Sequence, residues 1–280
     1  MTPFVTRDGC TLHYRLRGHG PLIALTPGGR EPGEGVAALA EALAPQATVL
    51  TWDRRNSGAS DVWFDAESEQ ETWADDLSDL IAHLGLGPAW LAGGSAGCRV
   101  SVLSALRRPK TARGLLCWSA SGGACSCQFL GFSYHVPYIM AAERGGMAAV
   151  AETPFFAERI LRNPGNRDNL LAQDPEEFAG TMKRWNRSFY FSPDAALASV
   201  PDAALRSIAM PTLIVAGNDD VHPPAVAQAM ARLIPDATLI ASPWSTADWI
   251  DKFTGRGGGS VFDLYPLLVP AIRQFISKWP

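Results

Sequence analysis

The stretch Trp90-Leu91-Ala92-Gly93-Gly94-Ser95-Ala96-Gly97-Cys98-Arg99-Val100 constrains the fold more than any other part of the chain. An apolar run ends in glycines, a single serine follows, and a helix-compatible segment of small residues (Ala96 to Leu106) begins at once. Gly93-Gly94-Ser95-Ala96-Gly97 fits G-x-S-x-G, the nucleophile elbow, in which a serine sits on a tight strand-to-helix turn. Such a turn tolerates only small neighbours. The serine hydroxyl projects above the sheet, while the next backbone N–H and the helix N-terminus face any oxyanion that develops there. A glycine-rich turn without chemistry would give the same five residues. The strand before it and the helix after it are the context that the motif requires.

The rest of the chain repeats the strand-helix rhythm. Thr11 to Leu16 alternates like a strand, and Leu22-Ile-Ala-Leu25 is the short apolar run of a strand buried on both faces. A helix is expected from about Gly35 to Leu43, then a strand from Ala47 to Trp52 and an amphipathic helix from Thr72 to Leu84. Gly114 to Trp118 is the next strand. The rhythm then stops: residues 121 to 205 contain helical stretches (Ile139 to Val150, Pro154 to Leu161, Pro175 to Trp185), an interval too long for a simple connection. It resumes with Pro211 to Gly217, a helix near Pro224 to Leu233, a strand at Ala237 to Ala241 and a closing helix from Val261 to Trp279. This order predicts an α/β fold with a doubly wound, mostly parallel sheet. Residues 1–120 and 206–280 would form the core, and residues 121–205 a helical cap inserted over it.

Composition narrows the functional classes. A hydrophobic share of 47% with 19% charged residues is that of a soluble globular chain rather than a disordered one. The net charge of −4, without a dense basic cluster, gives no reason to expect nucleic acid as a partner. No apolar run approaches the roughly 18 residues of a membrane helix, and the N-terminal residues lack the form of a signal peptide. The five cysteines are odd in number and without framework spacing, which suits reduced thiols in a cytoplasm. Cys125-Ser126-Cys127 is too close for a common zinc pattern, so neither a metal nor a cofactor is expected. The expected partner is a small-molecule substrate; oligomeric state is not legible.

Four pieces, in order, resemble the α/β-hydrolase superfamily across nearly the whole chain. They are the loop Leu25-Thr-Pro-Gly-Gly29, the turn Asp53-Arg-Arg-Asn-Ser-Gly-Ala-Ser60 (similar to D-x-R-G-x-G-x-S, with Asn56 for a glycine), the elbow, and the strand end Pro211 to Asp220. The resemblance implies Ser95 as nucleophile and the N–H groups of Ala96 and Gly29, in the Gly28-Gly29 loop, as oxyanion donors. Pro27 stands where the family has a histidine. The acid would stand three residues after Gly217, which selects Asp220 and leaves Asp219 free for a capping role. Arg30 is placed to meet a substrate carboxylate or carbonyl, or to pair with Glu31 or Glu34 on the surface.

The base is missing from its usual place. Laying the family's P-x-x-x-H ending on Pro243 to Ala247 puts Ala247 at the histidine position, and no histidine follows His222. Three explanations compete: the histidine was replaced, the base has moved, or the site no longer hydrolyses anything. His222, two residues after Asp220, and His135, beside Tyr134 in the cap segment, are the candidates for a moved base or a pocket-lining group. A histidine so near its acid has little freedom to face both that acid and Ser95. Trp90, Trp118, Trp185, Trp244, Trp249, Phe129, Phe132, Phe189 and Phe191 supply core and pocket aromatics. They suggest a medium-sized apolar substrate, and the resemblance implies that the bond acted on is an ester, lactone, thioester or activated C–C bond. A lyase, cyclase or isomerase using the same pocket, or a ligand-binding protein on a retired scaffold, is the alternative.

Overall fold

A computed structural model describes residues 1–190 and 195–279. Phe191 and part of the segment expected to form the cap therefore lie outside the described residues.

Eight strands form one sheet: β1 (Thr2–Val5), β2 (Thr11–Arg17), β3 (Leu22–Thr26), β4 (Thr48–Asp53), β5 (Ala89–Gly94), β6 (Ala112–Trp118), β7 (Thr212–Val215) and β8 (Thr238–Ile240). Their spatial order is β1-β2-β4-β3-β5-β6-β7-β8. β1 and β2 are antiparallel, and β4 through β8 run parallel with β3. β3 and β5 are buried at every position, as strands covered on both faces must be. Register aligns the carboxyl ends: Thr26 opposes Gly93, Gly94 opposes Trp118, and Trp118 opposes Val215. The loops that leave these strands therefore emerge side by side on one edge, where ligands bind in open α/β sheets.

Between strands lie α1 (Ala37–Leu43), α2 (Glu69–Leu84), α3 (Ala96–Arg107) and α9 (Pro224–Leu233), and after β8 come α10 (Thr246–Phe253) and α11 (Val269–Ile276). One core cluster packs Trp52, Trp73, Leu77 and Val102 on one face of the sheet. The other packs Trp90, Trp118, Tyr265 and Phe275 on the opposite face. Truncating one of these fully buried tryptophans would cost about 3–5 kcal/mol. α2 begins three residues before the expected Thr72 because Ser68 caps it, and it ends where Gly85 turns left-handed at φ 63°. The expected closing helix is split: a 3-10 turn over Val261–Leu268 precedes α11, with Pro266 inside the turn and a proline at the start of the helix.

Between β6 and β7 the chain forms α4 (Gly123–Ala151), α5 (Pro154–Arg162), α6 (Gly165–Leu171), α7 (Pro175–Tyr190) and α8 (Asp202–Arg206). α4 starts at Gly123 rather than Ile139 and is broken at Gly145 and Gly146. Its first half has apolar residues on several faces and no clean helical stripe, so periodicity missed it. These helices share a core of Ile139, Phe156, Phe178, Met182 and Trp185 that also takes in Val62 and Phe64 from the segment before α2. Asn166 fastens them to the sheet side, accepting from the Val62 N–H (2.9 Å) and donating to the Ser60 carbonyl (3.0 Å). The turn below is held by Asp53, which accepts from the Gly33 and Ala59 N–H groups at 2.7 and 2.8 Å. Asn56 adopts φ 62°, the left-handed region that glycine usually fills and asparagine tolerates, which accounts for that departure from the motif.

Candidate active site

Ser95 is at the sharp turn between β5 and α3, with φ 53° and ψ −118°. That backbone is costly for a residue with a Cβ, and the surrounding packing holds it there. A Cβ on Gly93 would strike the Gly97 backbone, and one on Gly97 would strike the Thr26 carbonyl at the end of β3. Steric exclusion is therefore the reason for both glycines of the motif. The Ser95 N–H is tied to the Trp118 and Ser119 carbonyls at 3.2 and 3.1 Å.

His222 faces Ser95. Its Nε2 is 2.9 Å from Ser95 Oγ, and its Nδ1 is 2.9 Å from Asp219 Oδ2 and 3.1 Å from Oδ1. A carboxylate can only accept, so Nδ1 carries the proton and donates it. Nε2 is left to accept from the Ser95 hydroxyl. The carboxylate in this relay is Asp219, which corrects the expectation of Asp220. Asp220 is exposed, and among the described residues no hydrogen bond or ion pair engages its side chain.

The tight spacing between His222 and Asp219 has a local solution. Asp219 Oδ1 accepts from the backbone N–H groups of Val221 (2.9 Å) and His222 (3.0 Å), folding the chain back over its own side chain. Gly217 allows this, because a Cβ there would strike the His222 carbonyl. Trp249 meets the imidazole edge-on at a centroid distance of 5.4 Å and backs it from the other side. Burial acts to raise the Asp219 carboxyl; the His222 hydrogen bond and charge, with the two backbone N–H groups, outweigh it and hold the carboxyl below its ordinary value. Asp219 does not cap α9, whose N-cap is Pro223.

The Gly28-Gly29 loop lies against the elbow: a Cβ on Gly28 would stand 3.3 Å from the Ser95 Cβ, and Gly29 has φ 55°. Among the described residues no acceptor takes the N–H of Gly29 or Ala96. Arg54 secures this loop where the histidine is absent. Its buried guanidinium donates to the carbonyls of Gly29 (2.9 Å), Glu31 (3.4 Å) and Gly28 (3.5 Å), and stacks 4.6 Å over Trp73. Burial pulls its pKa down to about 10, so it remains a cation at neutral pH.

Two other expected site residues are placed elsewhere. Arg30 is buried, donates to Glu69 Oε2 and the Tyr134 carbonyl at 2.7 Å each, and does not line the cavity beside Ser95. Neither a surface pair with Glu31 or Glu34 nor a substrate contact is its arrangement; it bolts the loop to α2 and α4. His135 is fully buried outside that cavity, 3.1 Å from the Gly131 carbonyl through Nδ1 and tilted against Phe189 at a centroid distance of 5.8 Å. Burial first, then the charge of Arg30, push its pKa down to about 3, so it stays neutral.

The cavity beside Ser95 holds about 740 Å³. Gly28, Gly29 and His222 line its reacting end. Phe129, Leu130 and Tyr134 come from α4, and Trp249, Ile250 and Phe253 from α10. Of the aromatics read from the sequence, Phe129 and Trp249 are on this wall, and the described others are not. Glu31, Tyr265 and the face of α10 escaped the sequence reading. A stripe at Thr246, Trp249, Ile250 and Phe253 (i, i+3, i+4, i+7) was the available signal.

The comparisons agree with this architecture. Residues 23–250 match the model of the alpha/beta hydrolase family. RutD of Azorhizobium caulinodans, provisionally named a carbamate hydrolase, is 27% identical over 246 residues, 86% of this chain and 90% of that one. YraK of Bacillus subtilis, an uncharacterized hydrolase, is 34% identical over 103 residues, which span only 38% of its length and 36% of this chain. The enol-lactonase of Burkholderia xenovorans superposes with a TM-score of 0.63 at 21% identity, covering 99% of this chain and all (100%) of that one, a likeness of fold. With a strand-turn-helix elbow in an eight-stranded, mostly parallel sheet and a family match over most of its length, this chain belongs to the alpha/beta hydrolase family.

Proposed function

We propose that this protein is a serine hydrolase that cleaves an ester, lactone, thioester or related activated acyl bond in a medium-sized, largely apolar substrate. The observation that carries the reading is the unbroken relay Ser95 Oγ to His222 Nε2 (2.9 Å) and His222 Nδ1 to Asp219 Oδ2 (2.9 Å). Ser95 Oγ attacks the carbonyl carbon as its proton passes to His222 Nε2. The Gly29 and Ala96 N–H groups receive the oxyanion, each worth a few kcal/mol in a dry site. As the tetrahedral intermediate collapses, the imidazolium gives its proton to the departing oxygen or sulfur. Water then attacks the acyl-enzyme with His222 again as base, releasing the acid and restoring Ser95. Asp219 keeps the imidazole in the productive tautomer throughout. The helices between β6 and β7 act as a cap, since α4 supplies one wall of the cavity.

The non-hydrolytic and binding-only readings drew on the lack of a base, and they lose that support when a histidine is in reach of Ser95. RutD, matched over most of both chains, carries the name of a carbamate hydrolase and is consistent with acyl cleavage. The test is a fluorophosphonate probe together with p-nitrophenyl ester turnover. Ser95 is expected to label, and Ser95→Ala to lose labelling and at least about a thousandfold in kcat. Asp219→Asn should cost on the order of 10³–10⁴ in kcat, and Asp220→Asn at least a hundredfold less. Turnover that survives Ser95→Ala would refute the assignment.

A further inference from the structure

We infer that the pocket selects substrates without a negative charge, and that Glu31 and Asp220 enforce this choice. The inference rests on Ser95 being the nucleophile and adds the class of ester or lactone it meets. Both carboxylates line the cavity, and among the described residues neither forms a side-chain hydrogen bond or ion pair. Each stands on a loop that delivers a reacting group: Glu31 is two residues past Gly29, and Asp220 is two residues before His222. A substrate carbonyl held between the Gly29 N–H and His222 thus brings its nearby substituents towards both. The third carboxylate of the lining, Asp219, is neutralised in part by its hydrogen bonds to His222 and the backbone.

Among the described residues no lysine or arginine is in the lining itself. Buried guanidinium groups stand behind its wall, and the charges of two of them, Arg54 and Arg159, act on Glu31. Arg30 pairs with Glu69, Arg54 holds the Gly28-Gly29 loop, Arg159 pairs with Glu158, and Arg99, its guanidinium without a hydrogen-bond partner among the described residues, lies 4.6 Å over Phe189. Away from the reacting end the wall is apolar, with Phe129, Ile250 and Phe253 also exposed at 47%, 40% and 61%, as an open, greasy mouth would be. Such a wall desolvates an alkyl or aryl arm at little cost, whereas a carboxylate there loses water and meets like charge. The class expected is a neutral ester or lactone with an extended apolar arm.

Three p-nitrophenyl esters of equal acyl length separate charge from polarity: the pentanoate, the uncharged glutaramate and the anionic hemiglutarate. Pentanoate is expected to exceed hemiglutarate in kcat/KM by at least about thirtyfold, with glutaramate in between. In the double variant Glu31→Gln/Asp220→Asn the hemiglutarate-to-pentanoate ratio should rise about tenfold, and 1 M salt should move the wild-type ratio the same way. Hemiglutarate equal to or better than pentanoate would overturn the inference and give control of the field to Arg30, Arg54 and Arg99. A ratio unmoved in the double variant would remove Glu31 and Asp220 from the assignment. Failure to turn over any of the three, with Ser95 unlabelled by fluorophosphonate, is the separate failure of the hydrolase reading itself.

Discussion

At the scale of single residues, Arg54 links sequence to chemistry most directly. Pro27, where the resemblance expects a histidine, has no side-chain donor with which to support the Gly28-Gly29 loop. Arg54 spans three carbonyls of the loop from the neighbouring turn. The Gly28 carbonyl and the Gly29 N–H belong to one peptide, so a cation at the carbonyl both orients that N–H and makes it a better donor. Arg54→Met is therefore expected to lower kcat about 10–100-fold, with KM changed less than about threefold, because the loss falls on the transition state. Arg54→Lys, whose ammonium lacks the planar fork, should recover only part of it. Steady-state kinetics at a temperature where both variants keep wild-type circular dichroism would check this. An unchanged kcat would reduce Arg54 to a packing role.

At the scale of elements, the unusual feature is that Asp219 and His222, the acid and base of the proposed relay, share the β7–α9 loop. Ala247, at the family's histidine position, is exposed on the first turn of α10. The face of that helix that lines the cavity is Thr246, Trp249, Ile250 and Phe253, and Ala247 is about 100° round the helix from Thr246. A histidine at 247 would thus point along the surface. The double variant His222→Ala/Ala247→His is expected to stay within about threefold of His222→Ala in kcat/KM, far below wild type. Recovery by orders of magnitude would mean that the vacated position still serves as a base. The elbow, the Gly28-Gly29 loop and the Asp53–Ser60 turn were legible in the sequence as backbone features because each is built from residues whose backbone or size requirement is local. Which of two adjacent aspartates meets His222 was not. That depends on a side chain accepting from its own backbone and on Gly217 making room, neither of which has a spacing signature. The start of α4 and the pocket face of α10 were hidden for a related reason: their apolar residues answer to cavity and core together, which blurs the period that a single buried face would give.

At the scale of the whole molecule, the helices between β6 and β7 carry a titratable group at their junction with the core. His135 is enclosed by Tyr134, Phe189 and Gly131, with Asn186 and the cations Arg30 and Arg99 acting on it. Its pKa in the folded chain is about 3, far below the ordinary histidine value. Above pH of about 6.5 both folded and unfolded forms are neutral there, and His135 contributes nothing to pH dependence. Below that pH the unfolded chain gains a proton that the folded chain refuses, so stability falls as pH drops towards about 3. Between pH 7.5 and 5 this group alone should cost about 2 kcal/mol. Other groups titrate in the same interval: Asp76, its carboxyl raised to about 6 chiefly by burial, acts in the opposite sense. The measurement must therefore be a difference. Urea unfolding of wild type and His135→Gln at the two pH values is expected to show wild type losing about 2 kcal/mol more than the variant. Equal losses would mean that His135 reaches solvent and takes up its proton with the fold intact, and the junction of α4 with the core would then be looser than its burial implies.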